Sequence, residues 1–281
     1  AKINNDFLIT YGFQDNAAYV LKMPEEVLEK LEYEDLEKEL KFECKYSDFS
    51  WEFNEPYLSK IINQEIFEDG IYQKHFKVKE NDIILDVGAN VGAFSYKALK
   101  ENPKKVYSIE PSNLLLPTLE KNLSNFDNKE IINYRLADNN FKNNKVSYND
   151  EINIYDNSGA TYNNIKFNQL IDKYNINKID FLKCDSEGGE YFIFNKENKE
   201  WINKNVKHIA AEFHLWGVPA ALDSFYIFRD LYLQDKENFI VETREGKDVS
   251  KHMDDDQWLK DFSWGQQTRA QLNVYIKNGR K

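Results

Sequence analysis

Cysteine is scarce in this chain of 281 residues, with only Cys44 and Cys184 present. Two are too few for a disulfide framework or a four-cysteine zinc site, so the composition predicts a reducing, cytoplasmic setting and a fold stabilised by burial. Long apolar runs are missing too. No window approaches the ~18 consecutive apolar residues of a membrane span, and the opening Ala1-Lys2-Ile3-Asn4-Asn5-Asp6 lacks the apolar centre of a signal peptide. A protein that is neither exported nor membrane-spanning is expected. Positive charge is also short: 37 Lys and Arg stand against 48 Asp and Glu, a net charge of −11. An acidic balance repels phosphate backbones, and the lysines at 104–105 and from Lys196 to Lys207 form no single-sign stripe. On this reading nucleic acid is not a partner. Aromatic residues are plentiful instead, at 15%, which fits either sugar-stacking surfaces or a core built from Phe and Tyr.

No internal repeat and no low-complexity linker divides the chain. Residues 1–70 read as a helical extension, because Pro24 to about Leu40 places Val27, Leu28, Leu31, Leu36 and Leu40 at roughly helical spacing. Residues 71–281 then alternate. Apolar runs at 83–88, 106–110, 130–136, 179–184 and 208–213 read as strands, with helix-permissive stretches at 91–100, 113–123 and 189–195 between them. Such βαβ units predict right-handed crossovers with helices on both faces of a mostly parallel sheet. A helix at 225–233 and strands at 239–243 and 272–276, paired antiparallel at an edge, complete the reading. The polar stretch from Asn139 to Asn164 reads as loops and a short hairpin.

The sharpest local signal is Asp86-Val87-Gly88-Ala89-Asn90-Val91-Gly92, a strand-to-helix turn where open α/β sheets bind ligands. A dinucleotide fingerprint needs a glycine where Asn90 stands, since that position lets the backbone approach a pyrophosphate. Glu110, about 20 residues on, is placed to accept both hydroxyls of a ribose. Asp86 beside the turn predicts attraction for a cation, and Asp138 an acceptor for an adenine amine. S-adenosylmethionine carries a sulfonium, an ammonium and no phosphate, and fits this set. Each residue also has a plainer reading, as a tight turn, a solvated strand end or an ordinary loop acid.

The turn at 86–92, Glu110-Pro111-Ser112, Ala137-Asp138, Ser158-Gly159-Ala160-Thr161, the block Asp180-Phe181-Leu182-Lys183-Cys184-Asp185-Ser186-Glu187-Gly188-Gly189-Glu190 and Glu212-Phe213-His214 together resemble the FkbM-type S-adenosylmethionine-dependent methyltransferases. The match covers about residues 68–216, and the Lys-x-Asp-x-Glu-Gly block is its most specific part. Cys184 and Gly189 depart from the aliphatic and small residues usual there. The resemblance implies a class I methyltransferase, Rossmann-like seven-stranded sheet with an antiparallel edge strand. It also implies methyl transfer to a hydroxyl, often on a sugar, glycan or glycosylated metabolite. Pro111, Ser112 and Asp185 join Asp86, Gly88, Asn90, Gly92, Glu110 and Asp138 as expected cofactor contacts.

Methyl transfer is an in-line displacement, and a protonated alcohol needs a base or a metal. The ends of the fourth and fifth strands nominate Asp185, Glu187, Glu212 and His214. His214 is the natural base, being neutral near its ordinary pKa of about 6.5. Asp185 can take that part or cap a helix. Glu212 and His214, two apart on a strand, share a face. Asp185, Glu212 and His214 offer an alternative role as ligands of magnesium or manganese, although no spacing demands a metal. Lys183 neutralises a neighbouring carboxylate or assists the acceptor. His75, His208 and His252 read as structural, and Trp216, Trp258 and Trp264 as sugar platforms or core anchors. Two other readings stay open, an NAD(P)-dependent oxidoreductase and a binding module that has lost catalysis.

Overall fold

The computed structural model describes residues 2–3, 6–13, 17–24, 44–52, 56–138, 162–215, 219–265 and 270–279. Its centre is β4 (Ile83–Val87), where a β-branched and leucine run alternates between two cores. Ile84 points into one apolar cluster and Leu85 into the other, and Phe181 and Leu182 of β9 (Ile179–Cys184) repeat the pattern. A strand buried on both faces is what a parallel sheet covered by helices requires.

From the N-terminus, β1 (Lys2–Ile3), β2 (Asp6–Phe13) and β3 (Ala17–Pro24) form a small antiparallel sheet. These strands were not anticipated within the stretch read as helical. The amphipathic segment expected beyond Pro24 lies outside the described residues. Helix α1 (Pro56–Ile62), a wide π-helical turn (Asn63–Asp69) and a 3-10 turn (Ile71–Gln73) lead into β4. Then follow α2 (Ala93–Leu99), β5 (Lys105–Ile109), α3 (Leu116–Leu123), β6 (Lys129–Ile132), β7 (Arg135–Leu136) and β8 (Asn164–Ile165). The remaining elements are α4 (Phe167–Lys173), β9, α5 (Glu190–Ile193), α6 (Lys199–Asn205), β10 (Val206–His214), α7 (Pro219–Tyr232), β11 (Phe239–Thr243), α8 (Asp256–Gly265) and β12 (Gln271–Lys277).

The main sheet has seven strands in the order β11-β12-β10-β9-β4-β5-β6. β4, β5, β6, β9 and β10 run parallel, while β12 lies antiparallel between β10 and the edge strand β11. This is the class I methyltransferase architecture. Phe213 of β10 stacks on Phe228 of α7, with ring centroids 4.0 Å apart, and anchors that helix to the sheet.

The run at 130–136, read as one strand, is divided. After β6 the Tyr134 N–H donates to the Ile132 carbonyl, a three-residue turn, and the Asn133 amide donates to the carbonyls of Glu110 and Pro111. β7 then leaves the sheet and pairs with β8. Helix α7 begins earlier than expected, at Pro219, a residue suited to a first helical position. Among the described residues no helix is long and apolar enough to cross a membrane.

Candidate active site

A cleft of about 680 Å³ opens above the C-terminal ends of β4, β5, β9 and β10. One half is built by the β4–α2 turn. Gly88 has φ +73°, and a Cβ there would fall 1.7 Å from the Asp185 carbonyl oxygen, so the β4 and β9 loops touch backbone to backbone. Asn90 takes φ +52°, a conformation asparagine tolerates, and its Oδ1 accepts the Val91 N–H at 2.7 Å. Gly92 has φ +91° and packs where a Cβ would meet Leu119.

The Asn90 N–H reaches Glu110 Oε2 at 2.8 Å, and the Ser112 N–H reaches Glu110 Oε1 at 2.8 Å. Each carboxylate oxygen therefore keeps acceptor capacity for a diol. Burial raises the Glu110 carboxyl to about 7, although these two N–H groups pull the other way. The Ser112 hydroxyl is buried at the cleft wall with no hydrogen-bond partner among the described residues. Pro111, Tyr134, Leu136, Tyr162 and Asp138 continue this wall. These features fit a ribose and a base.

Asp86 does not fit its expected part. It is fully buried, with Oδ1 3.2 Å from Lys183 Nζ and Oδ2 accepting the Ser95 hydroxyl at 2.6 Å, and it does not line the cleft. Its charge is neutralised inside the sheet because β4 and β9 register Asp86 beside Lys183. Lys183 also donates to the carbonyls of Val87 and Gly88 at 3.2 and 2.7 Å. Burial alone would lower the Lys183 ammonium, but Asp86 overcomes this and holds it above its ordinary value.

The other half of the cleft is acidic. Glu212 and Asp185 line it with Glu187 and Glu65. His214, one residue pair beyond Glu212 on β10, is 1% exposed. Its Nε2 lies 3.4 Å from Glu212 Oε1, 3.4 Å from Glu187 Oε2 and 4.0 Å from Asp185 Oδ1. Its Nδ1 lies 3.1 Å from Oε1 of Glu190, which is fully buried. Burial would lower this imidazole, but Glu187 and Glu190 outweigh it and raise it well above 6.5. Held among Glu187, Glu190, Glu212 and Asp185, His214 is bound on both ring nitrogens' sides by carboxylates rather than standing alone at a strand end. Asp185, Glu212 and His214 nevertheless offer ligand atoms within 4.8 Å of one another, a set able to hold a metal ion.

Tyr72 and Glu65, from the segment before β4, were not singled out in the sequence. The Tyr72 hydroxyl donates to Asp185 Oδ2 at 2.8 Å and stands 3.4 Å from Glu212 Oε2. Burial, then Glu212, raise the Glu65 carboxyl to about 7, opposed by Arg244 at 3.2 Å. Neither residue belongs to a motif; only the fold brings them in. Asp138 lies at the exposed rim, 3.5 Å from Lys166. His75 meets Glu242 at 3.1 Å, His208 stacks on Phe76 and His252 on Trp258, all away from the cleft. Trp258 and Trp264 also lie off the cleft, while Trp216 and the segment Ser158–Thr161 fall outside the described residues.

This fold, with a nucleoside-shaped half-cleft beside an acidic one, defines the class I S-adenosylmethionine-dependent methyltransferases. The model of the methyltransferase FkbM domain matches residues 86–237, over half the chain, and the chain belongs to that family. The oxidoreductase reading falls with it. Two curated relatives are the ribosomal RNA small subunit methyltransferases A of Persephonella marina, 30% identical over 70 residues, and of Clostridium botulinum, 32% identical over 72. The matches cover 24% and 26% of this chain, and they span about a quarter of those proteins, 26% and 25%. A putative methyltransferase from Streptococcus mutans, solved with SAH, is similar at TM-score 0.42 and 13% identity, over 76% of this chain and 97% of that one. Relatives named for ribosomal RNA overturn the exclusion of nucleic acid. A net charge of −11 is a sum over the whole chain and does not describe the face beside a cleft.

Proposed function

We propose that the chain transfers a methyl group from S-adenosylmethionine to a hydroxyl of a sugar, glycan or glycosylated metabolite. The observation that carries this reading is that Asp185, Glu187 and Glu212, which line the cleft that also holds Glu110, gather their oxygens around His214 buried just beneath them. When bound, the cofactor supplies an electrophilic methyl carbon. Glu110 and Ser112 would hold its ribose, Asp138 its base, and the 88–92 turn would pass beneath it. Asp185, Glu187 and Glu212 would receive the hydroxyl proton of the acceptor, and His214, packed among them, would fix their orientation. In this reading residues 71–281 form the catalytic unit, and Glu65, from the stretch before it, also lines the cleft.

A second reading, a nucleic-acid acceptor, is favoured by the 70-residue similarity to a ribosomal RNA methyltransferase. Incubating the protein with radiolabelled S-adenosylmethionine and separate panels of glycosides and ribosomal RNA tests both. Label should enter glycosides and vanish in Asp185→Asn and Glu212→Gln. Label only in RNA would select the second reading, and label in neither would indicate a binding module.

A further inference from the structure

From the acidic half of the cleft we infer a divalent cation site formed by Asp185 Oδ1, Glu212 Oε1 and His214 Nε2, open to the acceptor hydroxyl. The inference deepens the proposed function, since it treats the same cluster as the place where that hydroxyl is activated.

The donors come from two rigid strand ends. Asp185 follows β9, and Glu212 and His214 end β10, which pairs with β9 in parallel register. Nε2 stands 3.4 Å from the Glu212 oxygen and 4.0 Å from the Asp185 oxygen. Ligands about 2.1 Å from one ion lie about 3 Å apart when adjacent and about 4.2 Å apart when opposite. Both separations fall inside that range.

What surrounds the donors points the same way. His214 is a fully buried polar side chain aimed into the cluster. Its rear nitrogen is held by buried Glu190, and Glu190 Oε1 accepts the N–H groups of Ser186 and Gly188 on the very loop that carries Asp185. A histidine whose second nitrogen faces a carboxylate is the usual outer arrangement of a metal-bound imidazole. Tyr72 acts on the other side. Its hydroxyl donates to Asp185 Oδ2 at 2.8 Å and stands 3.4 Å from Glu212 Oε2, while Asp185 Oδ1 and Glu212 Oε1 are the oxygens nearer Nε2.

The nearby cations are committed elsewhere, Lys183 to Asp86 and Arg244 to Glu65. Two carboxylates with one imidazole suit manganese better than magnesium, which prefers oxygen alone. The ion would polarise an acceptor oxygen as a Lewis acid, leaving Glu187, 3.4 Å from Nε2, to take the proton.

The test is Mn²⁺ titration of chelator-stripped full-length protein, followed by electron paramagnetic resonance, with S-adenosylmethionine affinity measured on the same samples. One Mn²⁺ per chain is expected. His214→Ala and Asp185→Asn should abolish that stoichiometric binding, and Tyr72→Phe should weaken it about 10- to 100-fold, as loss of an outer partner does. If His214→Ala fails to fold, Tyr72→Phe and Asp185→Asn carry the test. No stoichiometric Mn²⁺ in the wild type, or unchanged binding in Asp185→Asn and Tyr72→Phe, overturns the site. Loss of cofactor binding in the stripped wild type, with Mn²⁺ still bound, would instead fault the functional reading.

Discussion

Replacing Glu110 by Gln probes the nucleoside half of the cleft through a pH dependence. The folded carboxyl lies at about 7 against an unfolded value of 4.5, with burial as the main cause. A raised folded pKa means that the native state holds a proton the unfolded chain has released, so stability is present at low pH and is lost as pH rises through about 7. Between pH 5.5 and 8 the loss is about 2 kcal/mol, taking about 1.4 kcal/mol per pH unit up to 7. Glu110 is only 6% exposed, so solvent screens little of this. Gln does not titrate, and Glu110→Gln should remove that share of the slope. Its amide can accept only one of the two N–H groups of Asn90 and Ser112 through oxygen, which costs about 1–3 kcal/mol at pH 8. Without the second acceptor, S-adenosylmethionine affinity should fall about 10- to 100-fold, as loss of a charged hydrogen bond does. Urea unfolding of both proteins at pH 5.5 and 8 reads the difference. Equal slopes in wild type and variant would refute the burial argument for Glu110.

Three further substitutions test how the site is framed. Gly88→Ala sets a Cβ 1.7 Å from the Asp185 carbonyl oxygen at positive φ, so it should cost at least about 1–3 kcal/mol and abolish cofactor binding measured by calorimetry. Lys183→Met leaves Asp86 buried without its ion-pair partner and should lower denaturant stability by about 3–5 kcal/mol, whereas joint Lys183→Met, Asp86→Leu should recover much of it. Phe213→Ala removes the ring stacked on Phe228 and should cost about 3–5 kcal/mol in the same assay. A loss below about 1 kcal/mol would show that the helix is held by other contacts.

The parts of the fold encoded locally were legible in the sequence. β4 and β9 declare themselves through the apolar runs Ile83-Ile84-Leu85 and Phe181-Leu182, which face both cores, although Asp86, Asp180 and Lys183 interrupt them. The acidic cluster was legible because Asp185, Glu212 and His214 sit at strand ends, where a parallel sheet brings them together. Asp86 misled because its neighbour across the sheet, Lys183, is set by register, and a motif does not display register. Tyr72 and Glu65 were invisible for a similar reason. They enter the cleft through the turns before β4, which carry no periodic signal. Glu190 was also invisible in its role beside His214: the loop after β9 sets it 3.1 Å from Nδ1, a contact that no local spacing announces.

The central claim is that the cleft over the 88–92 turn receives S-adenosylmethionine and not a dinucleotide. Isothermal titration of the full-length protein with each, in parallel, tests it directly. One S-adenosylmethionine bound per chain at sub-millimolar concentration, with no heat from NAD, is the predicted result; NAD binding in the absence of any S-adenosylmethionine signal would contradict it.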